Sequence, residues 1–427
     1  MIRNRYLQTF LIRTATALIS VVTVIVTSRY LGAAGRGELA LLGAATGIAV
    51  VLAGFVGGPA IVYLVPRFPL RAILAPTYGW IVLVSAFVYG GVRIWNLVPA
   101  WLAIHVGLLA AVSSINTAHN NVLVGQQRVL HANRLAMAGA ASGAIAVLTL
   151  FLVVGLREVW AAVLATYLAG FVALLGGFAS LRRSASDFDA IGGQQVWSNV
   201  RLSLVAQVGT LLQLLNYRLS FFVLEKNGGS ASVGVYSIAA VVAESVWLLG
   251  GSIALVHYSE TSNTKSLEDA RRRTVRLARI SLLGTLAIVG GVVAVPSAVF
   301  TAVLGKDFSQ VRGVVALMSP GIVSFAFALL LCHYFAGIGR YAVNTVAAAV
   351  GATVTLSLIW LLVPLWQERG AAVVASLAYL STTGVVIAAF LRESGLPARA
   401  LLPERGDLRG VAHLIRLAWS DATLPRP

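Results

Sequence analysis

Arg13 is the residue in this 427-residue chain whose position first calls for a chemical explanation. It lies within Leu7 to Leu31, an apolar stretch long enough to cross a bilayer. It belongs to a series, Thr9, Arg13, Thr16, Ser20, Thr23 and Thr27, which on a helix draws one continuous polar stripe. A guanidinium near mid-helix costs roughly 2.5 to 3.5 kcal/mol on insertion scales, so such a seam normally turns toward a protein interior or a water-filled cavity. A later apolar stretch carries Gln207 and Arg218 on one helical face and Gln213, Asn216 and Ser220 on the opposite one. Guanidinium groups bind phosphate oxygens bidentately. Arg13 and Arg218, at opposite ends of one cavity, would then receive and release a phosphorylated headgroup. The alternative for both is snorkelling to the membrane surface.

Two further groups could carry chemistry. Ser113, Asn116 and Asn120 share a face of the fourth apolar stretch, with His119 beside Asn116; they either make interhelical hydrogen bonds or contact sugar and phosphate at an inner gate. Glu244 is the one carboxylate well inside any apolar stretch. A carboxyl at that depth is protonated, paired with a cation or a proton relay, so it serves either structure or ion coupling. Cys332 is the only cysteine, which excludes an intrachain disulfide and a cysteine-based metal site. No cofactor is implied.

The elements that position these residues are membrane helices. Hydrophobic residues make up 58% and charged residues 11% of the chain, and the mean hydropathy is +0.86, which excludes an ordinary soluble domain. Apolar runs of spanning length lie at about 8–31, 38–66, 73–95, 97–121, 132–154, 158–181, 199–224, 232–257, 276–303, 311–336, 342–364 and 369–391. The expectation is an all-α integral membrane protein of about twelve transmembrane helices. The formal net charge of +17 would suggest nucleic acid, but 22 of the 32 Lys and Arg fall on segments assigned to the cytoplasm when the N-terminus is placed there. Topology thus explains the basic excess, with both termini cytoplasmic and no nucleic-acid role needed. The first stretch reads as a retained helix, because its apolar part is too long for a signal peptide and Arg13 interrupts it.

The chain also repeats. A shift of about 200 residues aligns Gly37 with Gly234; Gly125, Arg128 and Asn133 with Gly337, Arg340 and Asn344; and the run from Glu158 with the run from Glu368. Six crossings per half make the two halves a parallel repeat, a common transporter plan. The expected organisation is an N-terminal lobe over 1–183, a cytoplasmic linker over 184–197, a C-terminal lobe over 198–395 and an amphipathic tail over 396–427. The two lobes would face a central cavity. In the tail, Leu408, Val411, Ile415 and Trp419 share one face, which suits a helix lying on the inner leaflet. Glycines within the spans, such as Gly43, Gly47, Gly54, Gly57 and Gly58, are expected to let helices approach closely, and Pro59 is expected to kink the second span.

Three runs carry a family likeness: Ser28-Arg29-Tyr30-Leu31-Gly32 to Gly35-Arg36-Gly37-Glu38-Leu39-Ala40, Leu215-Asn216-Tyr217-Arg218-Leu219-Ser220 leading to Val233-Gly234-Val235-Tyr236-Ser237, and Leu304-Gly305-Lys306-Asp307-Phe308. Over about residues 5–392 the chain resembles the polysaccharide flippases of the multidrug, oligosaccharidyl-lipid, polysaccharide (MOP) exporter superfamily. The resemblance implies a flippase, not an enzyme. Such a protein moves a polyprenyl-pyrophosphate-linked oligosaccharide, such as an O-antigen (lipopolysaccharide) or capsule repeat unit, to the outer leaflet of a bacterial plasma membrane. Its implied partners are membrane lipid, a polysaccharide polymerase and glycosyltransferases. Ser220 departs from the pattern, since many such relatives have an Asp there. Lipid II flippases and MATE-type cation-coupled small-molecule exporters are the alternatives within the superfamily.

Overall fold

The computed structural model of the chain describes residues 2–56, 58–182, 193–263, 266–404 and 406–407. Residues 184–192 of the linker expected over 184–197, Gly57, and the amphipathic face of Leu408, Val411, Ile415 and Trp419 lie outside them. Among the described residues there is no strand, as the composition requires. The helices are α1 (Ile2–Ala53), α2 (Ala60–Leu64), α3 (Leu70–Ile94), α4 (Leu102–Gly125), α5 (Val129–Leu148), α6 (Val159–Arg182), α7 (Gly193–Asn263), α8 (Leu267–Ala294), α9 (Ser297–Leu304), α10 (Val311–Gly337) and α11 (Tyr341–Ser394).

Nine candidate spans among the described residues are long and apolar enough to cross a bilayer, making this a multi-pass membrane protein. Three of them, in α1, α7 and α11, run for 42, 41 and 54 residues. At 1.5 Å per residue these would be roughly 60 to 80 Å long, about twice or more the thickness of a hydrocarbon core. Each is interrupted by one residue outside helical geometry: Gly32 in α1, Gly229 in α7 and Gln367 in α11. At the last break the chain folds back, because a Cβ on Gly370 would lie 2.0 Å from the carbonyl oxygen of Leu362, a residue roughly 12 Å away along an unbroken helix. The apolar runs expected at 8–31 and 38–66, at 199–224 and 232–257, and at 342–364 and 369–391 are thus paired arms of broken helices.

The backbone carries the repeat. Gly32 has φ 67° and ψ −173°, and Gly229 has φ 69° and ψ 177°. The turns after α4 and α10 also match. Gln127 and Gly339 both have positive φ, and the amides of Arg128 and Arg340 each donate over 2.8 Å, to Leu123 and Phe335 respectively. These are the places where the sequence aligned with itself.

Packing divides the chain into two compact units, Met1–Ser237 with Ala298–Ser309, and Ile238–Ser297 with Gln310–Pro427. In the first unit, one core gathers Ile61, Leu64, Val122, Leu123 and Ala132, and a second gathers Val147, Phe151, Ala161 and Ala165. Small residues bring α5 and α6 together, with a Cβ on Gly139 or Gly143 reaching 2.9 Å from Ala169. In the second unit the core is aromatic, built on Phe327, Tyr334, Phe335 and Phe390. There Arg279 of α8, 8% exposed, donates to the carbonyl of Ala400 at 3.0 Å and pairs with Glu404 at 2.7 Å and Asp407 at 3.6 Å. The exposed tryptophans Trp95, Trp101, Trp160, Trp360 and Trp366 lie beside connections that the sequence assigns to the outer face, the usual place of an aromatic belt.

The second apolar run departs from expectation at its end. Its helix stops at Ala53 and resumes only as α2 after Pro59, so the expected kink is a full break. Gly43 and Gly47 have open space around them rather than a packed neighbour. They do not serve the close approach expected of them.

Candidate functional site

The polar stripe of α1 is largely closed on itself. Thr16 donates to the carbonyl of Ile12 at 2.8 Å, Ser20 to Thr16 at 3.0 Å, Thr23 to Ile19 at 2.9 Å and Thr27 to Thr23 at 2.8 Å. Each hydroxyl thereby satisfies its donor within its own helix. Arg13 differs: it is exposed and makes no hydrogen bond or ion pair among the described residues. It is the one charged group on this stripe.

The α4 cluster separates into different roles. Asn116 donates to the carbonyl of Gly170 at 2.9 Å, tying α4 to α6. His119 is 2% exposed, lies 2.6 Å from the Tyr78 hydroxyl and packs edge-on against Tyr78 and Phe178. A Cβ on Gly177 would come within 2.5 Å of its Nδ1, an atom enclosed with no hydrogen-bond partner among the described residues. Asn120 is exposed. Of these three, His119 is the buried one.

On α7, Gln207 is buried against the break that follows α1, its Nε2 lying 2.1 Å from a Cβ position on Gly54 and 2.6 Å from one on Gly58. Asn121 donates to the carbonyl of Gly58 at 3.0 Å and Trp80 to that of Leu52 at 3.0 Å. A helix end inside a membrane leaves carbonyls without partners. The carbonyls of Leu52 and Gly58 themselves already accept from the amides of Phe55 at 3.2 Å and Ile61 at 3.1 Å; Trp80 and Asn121 add second donors to them, and Gln207 packs beside them. Neither Trp80 nor Asn121 was singled out from sequence, because a lone Trp or Asn in an apolar run carries no spacing signal.

Farther along α7, Asn216 and Ser220 are both 1% exposed. Nε2 of Gln213 and Oγ of Ser220 are enclosed with no hydrogen-bond partner among the described residues. Arg218 is half-buried, its guanidinium 5.3 Å from the Phe221 ring centroid, within cation–π range. Arg13 and Arg218 belong to the same unit.

Glu244 lies in the other unit, half-buried. One turn further on, Trp247 packs against Phe325 at 4.9 Å and Tyr379 at 5.1 Å and donates to the carbonyl of Ile322 at 3.0 Å. Beside it, the amide of Gly321 donates to Ser376 at 2.9 Å where Pro320 interrupts α10. These aromatics come from three separate helices, so only folding reveals the cluster. No group of three His, Cys, Asp or Glu side chains is placed to hold a metal ion among the described residues.

No protein-family model matches the sequence, and no curated protein does. Solved structures do match in fold. The lipid II flippase MurJ in an inward closed conformation superposes with a TM-score of 0.71 at 12% identity, covering 98% of this chain and 93% of that one. A multidrug resistance MATE family transporter of the MOP superfamily, inward-facing, gives 0.65 at 16% identity over 90% and 98% of the two chains. The Vibrio cholerae MATE transporter VcmN in its bent form gives 0.56 at 13% over 92% and 98%. The chain therefore has the all-α membrane fold that these MATE transporters and the MurJ flippase share.

Proposed function

We propose that this protein is a flippase that moves a polyprenyl-pyrophosphate-linked oligosaccharide from the inner to the outer leaflet of a bacterial plasma membrane, for cell-surface polysaccharide export. The observation that carries this reading is Arg13: a guanidinium in an apolar helix, exposed and without a hydrogen-bond or ion-pair partner among the described residues, suits an anionic diphosphate arriving from outside. Arg218 would bind the same group at the other end of its path, with Gln213, Asn216, Asn120, Thr16 and Ser20 as polar neighbours along the way. The repeat, and the similarity to a structure titled as a lipid II flippase, support alternating access between lobes 1–183 and 198–395. Both termini are placed in the cytoplasm, and a polymerase and glycosyltransferases are the working partners.

The test is flipping of a fluorescent polyprenyl-pyrophosphate oligosaccharide in proteoliposomes, with lipid II and a cationic dye as competing cargoes. Oligosaccharide movement that is lost in Arg13→Ala supports the proposal. Movement of lipid II alone assigns the chain to that cargo. Dye transport alone favours the second reading, a cation-coupled small-molecule exporter, for which the half-buried Glu244 and the MATE structures speak.

A further inference from the structure

The run Leu304-Gly305-Lys306-Asp307-Phe308 has no part in the cargo path just described, yet it is held tightly. Residues Ala298–Ser309 pack in the first unit, while the chain on both sides of them, Ile238–Ser297 and Gln310–Pro427, packs in the second. The segment is thus a strap lent by one unit to the other. Phe308 is 0% and Leu304 6% exposed. Arg29, at the end of the first arm of α1, donates through Nη1 to the carbonyl of Ala302 at 2.8 Å and to that of Thr301 at 3.4 Å. Those carbonyls belong to the last turn of α9, where a cation is favoured; that of Thr301 also accepts from the amide of Gly305 at 3.0 Å. In return, Oδ2 of Asp307 accepts from the backbone amide of Ala33 at 3.1 Å, the first residue beyond the Gly32 break, where a helix N-terminus favours an anion. A Cβ on Gly32 would lie 2.7 Å from that same oxygen. The break, the arginine before it and the aspartate opposite therefore fit as one device.

We propose that Arg29 and Asp307 form a reciprocal latch. Arg29 closes the C-terminal end of α9 and Asp307 closes the N-terminal end of the second arm of α1. The latch holds the strap on the Gly32 break as a contact that can open while the body of the first unit stays folded. The proposal does not depend on which cargo is carried.

The experiment uses the full-length protein in nanodiscs with Cys332→Ser as background and spin labels at Ala34→Cys and Val303→Cys, two exposed positions on either side of the latch. A second pair at Ile104→Cys and Leu164→Cys, also exposed, reports on the body of the first unit. Wild type should show one short distance for the first pair. Arg29→Ala and Asp307→Ala should each raise a longer-distance population by about tenfold, the equivalent of ~1.4 kcal/mol, with the second pair unchanged. Asp307→Asn keeps an acceptor oxygen and should stay near wild type. An unchanged distribution in both alanine variants overturns the latch. So does broadening of both label pairs together, because the segment would then be ordinary core rather than a releasable strap.

Discussion

Gly37 and Gly234, the residues that align when the sequence is laid over itself, touch each other in the fold. A Cβ on Gly37 would fall 1.7 Å from the carbonyl oxygen of Ser230 and 2.9 Å from the amide nitrogen of Gly234, and a Cβ on Gly234 would fall 1.9 Å from the carbonyl oxygen of Ala33. Each glycine meets the backbone four residues before the other. Backbone atoms cannot rotate away as a side chain can. Gly37→Ala and Gly234→Ala should therefore separate the two helices and cost on the order of 3 kcal/mol, seen as a marked fall in the thermal unfolding midpoint of detergent-solubilised protein. Gly43→Ala, in open space, should be neutral or stabilising by about 0.5–1 kcal/mol.

Arg13→Ala should abolish flipping of a pyrophosphate-linked lipid while leaving the unfolding midpoint unchanged, because the side chain has no partner among the described residues to lose. Arg13→Lys should recover part of the rate, since an ammonium keeps the charge but not the bidentate fork. Flipping at the wild-type rate in Arg13→Ala would remove the arginine from the cargo path.

His119 should behave as a structural residue. Tyr78→Phe deletes the hydroxyl 2.6 Å from its ring and should lower stability by about 1 kcal/mol, with His119→Ala losing about 3 kcal/mol through the cavity it leaves. Both should scale transport with the amount of folded protein and leave the apparent cargo affinity unchanged; a changed affinity in the folded fraction would place His119 back among cargo contacts.

Arg279→Ala removes the cation that faces Glu404 and Asp407, and Asp407 is 6% exposed. A buried carboxylate without its partner is strongly destabilising, by about 3 to 5 kcal/mol, and here that cost falls on the segment after α11. Limited proteolysis should cut this segment faster in Arg279→Ala than in wild type, with Arg271→Ala, half-buried beside Glu393, showing a smaller effect. Equal cleavage rates would show that the segment is held by its apolar contacts alone.

If dye transport is found, Glu244→Gln should remove its dependence on external pH and leave the protein folded, because the amide cannot give up a proton. An unchanged pH profile would exclude this carboxylate as the relay.

Composition alone determined that this chain lives in a membrane. With 58% hydrophobic residues, unpaired backbone groups must be satisfied internally, and helices follow. The aligned residues also disclosed the repeat, and the turns they mark are alike in backbone, with the amides of Arg128 and Arg340 making equivalent hydrogen bonds. What each polar residue does was decided only by tertiary structure. Periodicity placed Thr16, Ser20, Thr23 and Thr27 on the stripe of Arg13, but it could not say that their hydroxyls turn back onto their own helix and leave the arginine alone. Nor could it separate His119, packed between Tyr78 and Phe178, from exposed Asn120 one residue later. The latch between Arg29 and Asp307 was equally out of reach, because the two lie in runs almost three hundred residues apart. A side chain in an apolar helix finds its partner on a neighbouring helix, and which helix that is depends on packing, not on spacing along the chain.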